Sequence, residues 1–206
     1  MHADPTLLTA WILVVGTTAA LVRPSPPEPR PPLRAAITVV GFDSMDSLVR
    51  ESMLAEVSSI YRDGAILFDW GASHPGGSLV EVVIADRPAN RVVVGCRRRL
   101  HDHRLGVASM GRRRITLWTH QIERAVTGDW DRRALPRIDT RPLGAALGRV
   151  LAHELGHMLL RLVGHQTNGL MRSSFSHRSL ASRSNRSFRL SPADLDRIRR
   201  AIESRD

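Results

Sequence analysis

The spacing of apolar positions divides most of the chain into strands and helices. Residues 36–42 are apolar and β-branched and predict a strand. The period then changes. Met45, Leu48, Val49, Met53, Val57, Ile60 and Tyr61 form a helical stripe that continues to Arg62, with Asp43 and Ser44 offering the N-cap and Gly64 the stop. Residues 65–70 form a second strand, and strand, helix, strand makes a right-handed parallel unit. Residues 71–78 are a glycine-containing loop, and residues 79–85 a third strand. Residues 91–96 offer a further strand. Residues 105–110 and 114–119 read as two short strands around a turn at Gly111, the first with the arginine flanks of a sheet edge.

Residues 120–126 are helical in pattern, and residues 128–140 form a loop. Thr140 and Pro142 open a central helix that is apolar on most of its circumference and whose stop signal is Gly164. Such a helix is buried. Residues 172–189 are rich in Ser and Arg and read as irregular. Ser191-Pro-Ala-Asp194 then caps a last helix with Leu195, Ile198 and Ile202 on its inner stripe. No internal repeat is present.

The central helix carries the chemistry. Within it stand His153, Glu154 and His157, in the order H-E-x-x-H. Residues four apart share a helix face, so both imidazoles can reach one ion. Glu154 lies about 100° further round, beside the ion but not on it. Two nitrogen ligands and a carboxylate that takes a proton from water are what a zinc hydrolase needs. The same three residues on an ordinary amphipathic helix would be the plain alternative. Burial argues against it, because a buried Glu and two buried His need partners.

Composition changes this picture only at its margins. The 206 residues suit one domain with a substantial core. The net charge of +10 raises nucleic acid or an acidic membrane as partners. However, all 30 basic residues are Arg and none is Lys, as coding bias toward GC would produce, so the choice of arginine says little about phosphate binding. Cys96 is the only cysteine, which excludes an intramolecular disulfide and a multi-Cys zinc site. The triplet His101-Asp-His103 reads as a solvated basic loop.

At the N-terminus, residues 7–22 are apolar and small, as in the core of a signal peptide, with Thr18 and Ala20 suited to a cleavage site. Basic residues follow this run and none precedes it, so an uncleaved membrane anchor is the competing expectation. The expected organisation is residues 1–23 as signal peptide or anchor, 24–33 as a stiff proline-rich linker, and 34–206 as the folded domain. The expected location is exported, secreted or periplasmic, with residues 7–22 a possible tether.

The motif and its sequel resemble the zincin metallopeptidases, and the metzincins in particular, as well as short exported bacterial proteins with H-E-L-G-H followed by H and G-L-M. Metzincins continue H-E-x-x-H with x-x-G-x-x-H and a methionine turn. By that resemblance His165 is the third metal ligand and Met171 the turn methionine, with zinc as the cofactor and a peptide or protein as the substrate. It implies an α+β fold: a mixed, mostly parallel twisted sheet of four to five strands, a backing helix, the central helix and a C-terminal helix. The chain departs from the pattern in having seven residues between His157 and His165 where metzincins have five, and Leu160 where they have glycine. A helix extended to Gly164, with that glycine in the left-handed conformation, would bring His165 back. The alternative third ligands are Asp194, Asp196 and Glu203, which read as capping and surface residues. The only tyrosine, Tyr61, lies on the first helix, so the tyrosine some metzincins place after their methionine is absent and the sequence does not identify an oxyanion donor; Arg172 and His177 are guesses for that role.

Two other classes compete. A metal-dependent nuclease or RNA-binding protein would suit the charge, but aromatic platforms for bases are sparse and an export signal is out of place. A non-catalytic, exported metal-binding module would have no need of Glu154.

Overall fold

The computed structural model describes residues 31–71, 78–85, 104–128 and 139–204. The expectations for residues 1–30, the strand at 91–96, Cys96 and the triplet at 101–103 lie outside the described residues. No helix among the described residues is long and apolar enough to cross a membrane.

Among the described residues, five strands form one sheet: β1 (Leu33–Val40), β2 (Ile66–Gly71), β3 (Val80–Ala85), β4 (Gly106–Ser109) and β5 (Arg114–Trp118). Their order is β2-β1-β3-β5-β4. All neighbours pair in parallel except β4, which runs antiparallel to β5 at one edge. Five α-helices accompany the sheet among the described residues: α1 (Ser47–Tyr61), α2 (Thr119–Thr127), α3 (Thr140–Leu160), α4 (His177–Ala181) and α5 (Pro192–Glu203).

Alternation along β1 buries Ala35, Ile37 and Val39 on the face that meets the helices. The opposite face is more polar and carries cross-strand ion pairs, Arg34 with Asp69 and Arg114 with Glu81. Exposed pairs of this kind contribute about 0–1 kcal/mol each. The sheet is thus covered by helices on one side, which makes the fold α+β with a five-stranded, mostly parallel sheet.

Several boundaries differ from the sequence reading. Helix α1 is capped by Asp46, not Asp43 or Ser44: its carboxylate accepts from the Leu48 and Val49 amides at 2.9 and 3.2 Å. Residues Phe42–Ser44 form a 3-10 turn instead, entered through Gly41 in the left-handed conformation. Asp139 precedes α3 as its N-cap residue, with Pro142 in the first turn. The stretch 172–189 is more ordered than its composition suggests. It contains α4, started by the Ser176 side chain, and a 3-10 turn at Arg186–Phe188.

Helix α3 runs through the centre of the domain and is buried from Ala146 to Leu160. Three contacts fix it. Gly144 and Gly148, four apart, let α1 approach closely, since a Cβ on Gly148 would lie 2.6 Å from the Met53 carbonyl oxygen. The Tyr61 hydroxyl donates to the Ala152 carbonyl at 2.9 Å. Arg149, 1% exposed, donates from Nε to Glu56 at 2.7 Å and from Nη1 to the Ser179 and Leu180 carbonyls at 2.9 and 2.7 Å. Its guanidinium also lies 4.9 Å from the Phe188 ring centre. A buried arginine with every partner in place holds α1, α3 and α4 in one register.

Candidate metal centre

His153, Glu154 and His157 lie in the last two turns of α3, all buried. The helix ends at Leu160. Arg161 takes the left-handed conformation at φ 51°, and the amide that closes the last turn donates to the His157 carbonyl. The expected extension to Gly164 is therefore corrected: the reversal comes three residues earlier, at a non-glycine, and Gly164 has no positive φ. The residues from Arg161 to His165 lie in the loop after the helix.

That loop supplies support for the helix histidines. Leu162 follows the reversal, and its carbonyl accepts from His157 Nδ1 at 2.6 Å. The loop then turns back. Gln166 donates its amide to the Met171 carbonyl at 2.7 Å, and the Leu170 carbonyl accepts from His153 Nδ1 at 2.7 Å. Both Nδ1 atoms are committed to carbonyls as donors, which leaves each Nε2 as a bare lone pair.

Those two Nε2 atoms face each other at 3.0 Å. With no proton between them, two lone pairs at this distance repel, and a shared cation removes the conflict. At Zn–N distances of 2.0–2.1 Å, tetrahedral ligands stand about 3.3 Å apart. His165 joins the pair from the loop: one ligand atom from each of the three histidines lies within 4.8 Å of the others. The His165 ring is exposed, centred 5.4 Å from that of His153 and 4.9 Å from that of His157. Three imidazole donors this close fit the donor set of a tetrahedral metal with one position left for water or substrate.

Burial, first, holds His153 down at about 4, with the neighbouring histidines and Arg172 adding to the effect against the opposing Leu170 bond. Burial also lowers His157. Both imidazoles are thus neutral at physiological pH, the form that ligates. Glu154 moves the other way. Burial pushes its carboxyl up to about 7, partly offset by the hydrogen bond from the Ala108 backbone in β4. A carboxyl near 7 is matched to taking and returning a proton.

The three histidines and Glu154 stand in a cleft of about 730 Å³. Leu105, Met110, Val150, Leu162, Val163 and Phe175 supply most of its apolar wall. Val163, 87% exposed, lies in the loop after the helix and projects at the rim. Met171 is fully buried, and its sulfur fills the space that a Cβ on Gly156 would take.

The other candidates fall elsewhere. Asp194 is buried, but it accepts from Ser191 Oγ at 2.7 Å and Gln166 Nε2 at 3.2 Å, holding α5 to the loop. Glu203 pairs with Arg199, and neither it nor Asp196 joins the histidine cluster. Arg172 and His177 do not line the cleft. The Arg172 guanidinium points inward, 4.8 Å from the Phe175 ring centre and 5.2 Å from that of Phe188. As placed, neither is an oxyanion donor. The Leu162 and Leu170 carbonyls and the Ala108 backbone bond carry no side-chain signal that sequence reading could use. The Gly156–Met171 contact left one: a glycine on a buried helix face where any small residue would otherwise serve.

The chain matches no protein-family model and no curated protein. Among solved structures it is similar to archaemetzincin from Methanopyrus kandleri, with a TM-score of 0.49 and 13% identity, covering 84% of this chain and 96% of that one. A likeness at this level says nothing about activity, and the chemistry has to be read from the histidines themselves.

Proposed function

We propose that this protein is a zinc-dependent metallopeptidase. The observation that carries the reading is the His153–His157 pair, with facing Nε2 atoms at 3.0 Å and both Nδ1 donors spent on carbonyls, next to a carboxyl raised to about 7. His153, His157 and His165 would hold Zn²⁺, which when bound supplies Lewis acidity toward a water and a carbonyl oxygen. Glu154 accepts the proton of the attacking water and returns it to the leaving amine as the peptide bond breaks. The Ala108 backbone bond orients that carboxylate from β4. Among the described residues β4 has no strand neighbour on its outer side, and an extended substrate would add there as a further strand. Apolar walls exclude water around the proton transfer.

The chain's organisation belongs to the same proposal: residues 1–23 as a signal peptide or anchor, 24–33 as a linker and 34–206 as the peptidase domain of an exported protein.

Metal analysis of the purified protein, alongside a peptide-library digest, tests this. Zinc near one per chain is expected in the wild type and in Glu154→Ala, with cleavage present only in the former. A wild-type protein that takes up no zinc rules the reading out. Zinc uptake without cleavage of any peptide would leave a metal-binding module.

A further inference from the structure

Arg149 and Arg199 are buried with acceptors for their guanidinium groups: Glu56 and two carbonyls for Arg149, and the Gly64 and Pro31 carbonyls with Glu203 for Arg199. Arg172 is different. Its Nε and Nη2 are both buried, and neither has a hydrogen-bond partner. These two atoms form one edge of the fork, the kind of edge that a carboxylate meets with two parallel bonds. Burial works against the charge and holds Arg172 below the usual arginine range. A guanidinium keeps its proton even so. Buried donors without acceptors are costly, and an apolar side chain would fill this space without that cost.

Aromatic rings take the place of the missing acceptors. The guanidinium carbon of Arg172 lies 4.8 Å from the Phe175 ring centre and 5.2 Å from that of Phe188. The two rings stand 5.1 Å apart. Each rests on α3. Phe188 meets the Arg149 guanidinium at 4.9 Å, and Phe175 meets the His153 ring at 5.2 Å, edge to face at 87°. Arg149 and His153 are four residues apart and share a helix face. The ring spacing thus matches the helix rise of about 5.4 Å per turn, and Arg172 lies against both rings. Ring faces attract a cation but do not neutralise it. Phe175 lines the cleft and Arg172 does not, so an unneutralised charge is held against the ring that abuts a histidine of the candidate metal site. The charge reaches that histidine, where it adds to the lowering caused first by burial.

We propose that Arg172 acts on the histidine site through its charge, held against Phe175 and without contact, opposing further positive charge at His153, His157 and His165 and favouring negative charge that develops beside them. This rests on the metallopeptidase reading and deepens it. Arg172 is a tuning charge and not a catalytic residue, because it does not line the cleft. A fixed charge among buried rings acts more strongly than the same charge in water. It weakens the hold of the three imidazoles on a cation. In return it favours the negative charge that forms on a carbonyl oxygen under attack in the cleft. The two effects share one cause, so removing the charge should move them in opposite directions.

The test compares the full-length wild type with Arg172→Met and Arg172→Lys. Zinc affinity is read by competition with a chelator, stability by urea unfolding of zinc-free protein, and kcat and KM on a cleaved peptide. Methionine packs well against aromatic rings and carries no charge. Arg172→Met should bind zinc more tightly by roughly three- to tenfold. Its zinc-free unfolding midpoint should match or exceed that of wild type, and its kcat should fall with KM little changed. Arg172→Lys keeps the charge but not the planar stack, and should lie between the two. A packing role has the opposite sign, with weaker zinc binding and a lower midpoint in Arg172→Met. That result, an unchanged zinc affinity, or a lysine variant indistinguishable from the methionine one overturns the proposal. Tighter zinc in Arg172→Met, with no peptide cleaved by wild type, counts against the peptidase reading and leaves the charge effect standing. A wild type without zinc affinity removes both.

Discussion

The sulfur of Met171 occupies the space in which a side chain on Gly156 would begin, so the loop after α3 is seated directly against the helix that carries both buried histidines. Ala at 156 would gain about 1 kcal/mol of helix propensity, yet it must displace a fully buried sulfur, at a cost of about 1–3 kcal/mol. Gly156→Ala should therefore be destabilising and should weaken zinc binding through a shifted Leu170 carbonyl. Urea unfolding and zinc titration of Gly156→Ala, Met171→Ala and the double variant measure the coupling. An additive cycle, or a more stable Gly156→Ala, would show that the contact is loose.

Removal of Arg149 should be among the costliest single changes. Arg149→Met leaves the Glu56 carboxylate without its partner at 2.7 Å and two carbonyls without donors. Breaking a buried pair from one side costs about 3–5 kcal/mol. Arg149→Met/Glu56→Gln should recover part of the loss in urea unfolding. If the double variant is no better than the single one, the carbonyl bonds and not the ion pair dominate.

Glu154 destabilises the metal-free fold at neutral and alkaline pH. Its carboxyl is held near 7 when folded against 4.5 ordinarily, so the folded state keeps the proton longer. Stability from this group is fully present below 4.5 and lost as pH rises through about 7. The loss amounts to about 3 kcal/mol at most. Glu154→Gln cannot ionise. In zinc-free protein it should be more stable than wild type at about pH 8, with the difference vanishing below the ordinary carboxyl range. Denaturant titrations of both proteins across that range check the sign; a constant difference would mean the carboxyl does not titrate between the two values.

The three histidines should differ in their effect on metal. His153→Ala and His157→Ala should abolish zinc binding, since each also leaves a loop carbonyl without its donor. His165→Ala, at an exposed position, should retain the fold and its melting temperature without zinc. Its affinity should fall by more than the roughly 10–100-fold typical of losing a supporting hydrogen bond. Competition with a chelator measures this, and an unchanged affinity would remove His165 from the ligand set.

Much of this was legible in residue order, for identifiable reasons. The stripes Val49-Met53-Val57 and Leu195-Ile198-Ile202 could face a core only as helices, and both do. Strand 105–110 was readable as an edge by its arginine flanks, and among the described residues β4 is one of the two edge strands. Errors gathered at element ends. Asp46 competed with Asp43 for the same cap, and Arg161 ended a helix where Gly164 had the better propensity. A left-handed arginine is held by tertiary contacts, here the turn that offers Leu162 to His157 and seats the loop, and propensity does not record these.

Sequence alone determined which atoms were available: two imidazoles four residues apart on one helix face, a carboxylate beside them, and a third histidine downstream. Period and side-chain chemistry are local, so they survive without coordinates. Only the tertiary structure decided how those atoms are set. It placed the reversal at Arg161, brought His165 to within 4.8 Å of the others, committed both Nδ1 atoms to loop carbonyls and put Glu154 against β4. Backbone carbonyls and burial carry no residue code. They exist only once distant segments pack, and they set three histidines in an arrangement that could hold a metal ion.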